Sequence, residues 1–132
     1  MKFAKAVFWI AALFGFVSLA PLYFLFDLVG RLDPPPITHP QFYYGFAGLG
    51  LVWQFVFMVI ATDPGRFRPM MIPAVLEKAS YVGALLALYL QDRISPAQAA
   101  TGAPDAVLGV LFLIAFLRIK RSADARSDRS AG

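Results

Sequence analysis

Long apolar runs separated by short polar ones dominate the chain. Four segments, about 6–29, 43–61, 70–90 and 104–119, stand near the ~20 residues an α-helix needs to cross a hydrocarbon core of about 30 Å. The pattern predicts an all-α integral membrane protein. Residues 1–121 are expected to form one four-helix bundle, and the polar tail "SADARSDRSAG" (122–132), which lacks an apolar face, to be disordered.

The first run has the look of a secretory signal, because Lys2 and Lys5 precede an apolar stretch ending in Ser18-Leu19-Ala20. Pro21 follows the would-be cleavage point and the apolar run continues to Val29, so a retained helix is expected. Pro21 removes one backbone hydrogen bond and predicts a bend, with Ser18 placed to satisfy the freed carbonyl.

The connections fit this threading. "RLDPPPITHPQ" (31–41) is proline-rich and reads as an extended outer loop. "TDPGRFRP" (62–69) reads as a short turn joining spans two and three in an antiparallel hairpin, and "QDRISPAQAATGAP" (91–104) as a second outer loop. Charge then sets the direction. Both termini and the 62–69 turn share one side, which holds Lys2, Lys5, Arg66, Arg68, Arg118, Lys120, Arg121, Arg126 and Arg129. The other side holds only Arg31 and Arg93, so both termini are expected in the cytoplasm.

Composition narrows the chemistry. Of 132 residues 59% are hydrophobic and only 15% charged, where a soluble domain carries about a quarter charged. Membrane lipid must therefore do part of the solvating, and no nucleic-acid partner is expected. Cysteine is absent, which removes disulfides, thiolate metal sites and iron–sulfur clusters. The single histidine, His39, excludes a bis-histidine haem within one chain. No haem, iron–sulfur cluster or structural zinc is expected, and any other cofactor is left open.

Glu77 and Lys78 stand side by side inside the third run. An antiparallel hairpin sets Glu77 level with Gln54 and Lys78 level with Trp53, about 10 Å below the cytoplasmic boundary at the helical rise. Gln54 is the one strongly polar side chain inside span two, so a polar network of Gln54, Glu77, Lys78 and Tyr81 is one expectation. It would form the floor of a cavity able to bind a head group or relay a proton. An interfacial position is another: Pro73 suits a first helical turn, Glu77 would favour the helix N-terminus, and Lys78 would snorkel to phosphates. Docking onto a partner subunit is a third.

On the opposite side of span three, Ala79, Gly83 and Ala87 form a small-residue stripe for close helix packing, as Gly45 and Gly48 do in span two. Asp27 and Asp105, near the outer ends of spans one and four, fall at the height of Tyr43 and Tyr44 and define a candidate outer-face cluster. Asp105, after Pro104, also suits a helix first turn, Asp27 a solvated position or a pairing with Arg31, and the tyrosines an aromatic belt, so this group has a plain structural reading too.

The order "DPGRFRPMMIPAVLEK" into span three, then "PDAVLGVLFLIAFLR" as the last helix, resembles small bacterial four-helix membrane proteins of a broadly DoxX-like type over roughly residues 41–119. The resemblance implies a compact bundle in the bacterial inner membrane and a link to quinone-coupled redox systems. No position matches a catalytic motif, so no catalytic residue is carried over. Sterol-binding four-span proteins of the EXPERA type place acids near helix ends, which Asp27 echoes.

Three functions compete. The first is a binding or accessory protein for a lipid, a quinone or other amphiphile, or a larger membrane complex, with a membrane-protein partner or a second copy on its helix faces. The second is a small proton-coupled carrier using Glu77. The third, an enzyme, lacks a visible nucleophile with its base and a metal cluster.

Overall fold

The computed structural model describes residues 1–131, with the side chains of residues 120–126 outside the described set. Among the described residues every regular element is helical. The chain runs α1 (Lys2–Leu19), α2 (Phe26–Leu32), α3 (Pro40–Thr62), α4 (Met71–Leu90), α5 (Pro96–Ala100) and α6 (Ala103–Ser130). Short 3₁₀ turns at Ala20–Phe24 and Arg68–Met70 extend α1 and lead into α4. Four stretches are long and apolar enough to cross a membrane: Lys2–Phe24, Pro40–Thr62, Arg68–Leu90 and Pro96–Ile119.

Three boundaries differ from the sequence reading, each for a local reason. The first run ends at Phe24, and residues 26–29 belong to α2. Around Pro21 the chain tightens into 3₁₀ winding, which rearranges its backbone bonds without a serine patch, and Leu25 N donates to Leu22 O at 3.4 Å. Span four begins at Pro96, eight residues before Pro104, because α5 has a strong start signal of its own. Gln98 N donates to Ser95 Oγ, Ser95 N donates to Gln98 Oε1, and Pro96 occupies the first turn. Finally, α6 runs on through Ser130, into the tail expected to be disordered. Extending a formed helix avoids the cost of nucleation, so a polar, alanine-containing segment can follow it. The basic side chains Lys120, Arg121 and Arg126 lie outside the described residues.

α1 packs along α3 and α4 along α6, and α1 meets α6 to join the two pairs. α3 and α4, although consecutive, touch little. The packed core lies toward the chain termini. There Phe8, Phe57 and Phe112 are fully buried, with Phe8 stacked on Phe112 at 4.3 Å between centroids and Phe57 edge-on to Phe112 at 5.0 Å. Ala4, Ala11, Ile60, Met71, Ala74 and Ala115 fill the spaces between the rings. The three rings hold this cluster through close contact and favourable ring geometry.

Arginines tie the same end together. Arg68 lies 3.7 Å over the Phe116 ring and its Nε donates to Phe116 O at 3.2 Å, clamping the start of α4 to α6. Arg118 sits over Phe3 at 4.4 Å, bringing the far part of α6 to the start of α1.

Candidate functional site

Away from the aromatic core the helix pairs separate, and between α3 and α4 lies a half-open cavity of about 650 Å³. α1 and the turn after it contribute Gly15, Ser18 and Leu22, α3 contributes Phe46, Trp53 and Gln54, and α4 contributes Glu77, Lys78 and Tyr81. Thr101, Pro104 and Asp105 close the remaining wall from the α5–α6 junction.

The charged floor depends on the register of α6 against α4. Gly109 faces the Lys78 stem and Gly102 faces Leu85, so the start of α6 lies beside the middle of α4. α5 and that first turn of α6 lie along the end of α4, framing a small hollow between Leu85, Tyr89, Ala99 and Gly102. Asp105 is therefore well inside its span. Lys78 Nζ lies 2.6 Å from Asp105 Oδ1 and 3.3 Å from Glu77 Oε2. Counted from Arg68, Lys78 lies about 15 Å into its apolar stretch, and Asp105, in the first turn of α6, stands beside it.

Lys78 is buried at 7% exposure, and its ammonium lies 5.3 Å from the Phe57 ring centroid. This corrects the interfacial reading. The ammonium turns into the bundle and is consumed by two carboxylates, so it does not snorkel. The side chains of Glu77 and Asp105 keep 25% and 21% of their surface, so the carboxylates face the cavity while the cation sits behind them.

Gln54 is the second polar feature of the wall, at 2% exposure. Its Nε2 donates to Gly50 O at 2.7 Å, one turn back, which fixes the orientation of the carboxamide. Oε1 is left with no partner and lies against Gly15, where any side chain would overlap it. Gly15 and Gly109 are thus the close-approach glycines of the site, and the sequence reading did not single them out. Glu77 Oε2, at 3.3 Å from Lys78, likewise lacks a hydrogen bond of good geometry.

The proposed inner network is partly assembled. Gln54, Glu77, Lys78 and Tyr81 line one cavity, but no hydrogen bond joins Gln54 to Glu77. Tyr81 approaches Phe46 across the gap between α4 and α3, at 6.2 Å between ring centroids.

The outer cluster divides. Tyr43 donates to Leu22 O at 2.5 Å, and Tyr43 and Tyr44 pack with Phe26 at 5.0 and 5.6 Å. Those rings pin the turn after α1 to α3. Asp27 is exposed in the first turn of α2, and Asp105 is drawn away to Lys78. His39 precedes α3 with its Nδ1 at 3.0 Å from Thr38 Oγ1, and no group of three or more metal-ligating side chains occurs among the described residues.

The small-residue stripes also part from expectation. Ala79, Gly83 and Ala87 are exposed, and neither Gly83 nor Gly45 has an atom within 4 Å of where a Cβ would stand. Gly48 lies beside the Tyr23 hydroxyl. Gly45 and Gly83 thus serve no helix contact within this chain.

No family model, curated protein or solved structure matches this chain.

Proposed function

We propose that the chain is a multi-pass protein of the bacterial inner membrane that holds an amphiphile in the cavity between α3 and α4. The observation that carries this reading is the pairing of an apolar, half-open cavity with a charged floor at mid-span. Ionisable groups at that depth are costly and are kept where they face a bundle interior or cavity. A volume of about 650 Å³ falls in the range of small-molecule pockets, about 300–1,000 Å³. The slight contact between α3 and α4 supports entry from the lipid, past Phe46 and Tyr81.

Charge supports an orientation with both termini in the cytoplasm. Lys2, Lys5, Arg66, Arg68 and Arg118 belong to the terminal end, against Arg31 and Arg93 at the other. Held in this way, an apolar ligand such as a lipid or quinone is stored, presented to a partner complex or protected, and none of these roles requires a catalytic group.

The test is gentle extraction from native membranes, followed by native mass spectrometry and an absorbance spectrum. A stoichiometric small molecule supports the reading; a protein partner with an empty cavity replaces it with a purely structural subunit. A second reading, a proton-coupled carrier, is favoured by the partial exposure of Glu77 to the cavity beside the Lys78–Asp105 pair. It predicts substrate-dependent proton uptake in proteoliposomes that disappears in Glu77→Gln, and it is dropped if uptake persists.

A further inference from the structure

The polar groups of the cavity are unequal in what they offer a ligand, and this limits the head group it can take. Among the described residues Lys78 is the only cation in the lining, and it is spent on Asp105 at 2.6 Å and Glu77 at 3.3 Å. Its side chain is only 8% exposed, while the two carboxylates that hold it keep 25% and 21%. A ligand therefore meets carboxylate oxygens before it meets the ammonium. The formal balance of Glu77, Lys78 and Asp105 is one negative charge. Gln54 adds a third acceptor to the wall: its Nε2 is bound to Gly50 O, and Oε1, on a side chain 98% buried, has no partner. Among the charged groups of the lining, anions outnumber cations.

From this asymmetry we propose that the cavity selects an apolar molecule whose polar end donates hydrogen bonds, a hydroxyl or a protonated amine, and rejects one ending in a carboxylate or phosphate. This rests on the amphiphile-binding reading and adds the chemistry of the head. An N–H or O–H donor placed at the floor meets Glu77 or Asp105. An anionic head would face two carboxylates with no free cation. That uncompensated repulsion in a water-poor site is how a pocket excludes a competitor of the same shape. The apolar body lies among Phe14, Phe46, Leu49 and Trp53.

Trp53 lines the cavity and Trp9, the other of the two tryptophans, is 45% exposed on the outside of α1. Two single-tryptophan forms of the full chain, Trp9→Phe and Trp53→Phe, in phosphatidylcholine nanodiscs therefore report the cavity and the surrounding lipid separately. The probes are one brominated dodecyl chain ending in a primary amine, a hydroxyl or a carboxylate, with quenching followed at neutral pH. The amine or the alcohol should quench Trp53 at about tenfold lower concentration than Trp9, and the carboxylate should quench both alike. Preference for the amine alone identifies a cationic head, and equal preference a neutral donor.

A carboxylate that quenches Trp53 selectively, as well as or better than the donors do, overturns the head-group assignment but leaves amphiphile binding standing. Three probes that never distinguish Trp53 from Trp9 overturn both. Glu77→Gln should weaken the amine more than the alcohol, and unchanged amine quenching there also overturns the assignment. The probe series needs no substitution at the floor, so it decides the matter even if Glu77→Gln fails to fold.

Discussion

The two ends of this bundle are built from the same four helices and yet solve different problems. Toward the termini, Phe8, Phe57 and Phe112 meet at ring distances of 4.3–6.0 Å and all four long helices contribute to one core. Beyond that core the chain places two interruptions, the 3₁₀ turn at Pro21 and the α5–α6 break before Ala103, and the helices part around a cavity. Regular helix packs; interrupted helix makes room. The Lys78–Asp105 pair sits where one regime gives way to the other, since Lys78 touches both the Phe57 ring and the cavity wall. Irregular backbone at membrane depth is tolerated only where protein or a cavity lines it. Leu22 in the first interruption and Thr101 in the second line the cavity.

The largest effect should come from Lys78→Met. It leaves Glu77 and Asp105 facing each other without their cation, and breaking a buried ion pair in this way costs about 3–5 kcal/mol. Unfolding in a graded SDS titration measures it. Adding Glu77→Leu and Asp105→Leu to the same chain should restore most of the loss, because an apolar replacement strands no charge. If Lys78→Met alone unfolds like the parent, the pair does not join the two halves.

Next is a matched pair of ring deletions. Phe57→Ala, in the closed end, should cost about 3 kcal/mol through the cavity it leaves, and Phe46→Ala, half exposed at the open end, less than about 1 kcal/mol. Equal losses from the two would erase the distinction between the ends. Gly15→Val should follow at about 1–3 kcal/mol, because its side chain collides with the Gln54 carboxamide. It should also shift Trp53 emission, which Phe57→Ala-type packing loss at the other end of the site need not do in the same direction.

The four long apolar helices were legible because hydropathy is a local sum along the chain. Gln54, Glu77, Lys78 and Tyr81 could be grouped for the same reason, since one hairpin fixes their approximate heights. The partner of Lys78 was hidden by a boundary. "SPAQAATGAP" has small and polar residues throughout, and its hydropathy is that of a loop. Ser95 followed by Pro96 and Gln98 was the available signal for a helix start, and with it Asp105 moves from the outer edge to stand beside Lys78. Gly15 was hidden for a different reason. A glycine that accommodates one side chain from another helix has no periodic neighbours to announce it, whereas Gly45 and Gly83, which do belong to periodic stripes, are exposed.

Those stripes supply the smallest expected effect and the sharpest discrimination. Ala79, Gly83 and Ala87 lie on the outer face of α4, and a side chain at Gly83 would meet nothing of this chain within 4 Å. Gly83→Leu should therefore change the stability of a single chain by no more than about 0.5 kcal/mol, since surface substitutions clear of packing seldom do more. Leucine is also the better helix former, by roughly 0.5–1 kcal/mol over glycine, so a slight gain is the expected sign. Measured at high dilution in detergent, a loss well beyond this would mean that another part of the chain covers α4 on that side. Measured again at high protein density in nanodiscs, a loss confined to that condition would put a second copy on the stripe while leaving the cavity of each chain as it is. Small residues permit close approach but supply no attraction of their own. An unaltered curve in both conditions therefore leaves the stripe in contact with lipid and the outer face of α4 without a partner.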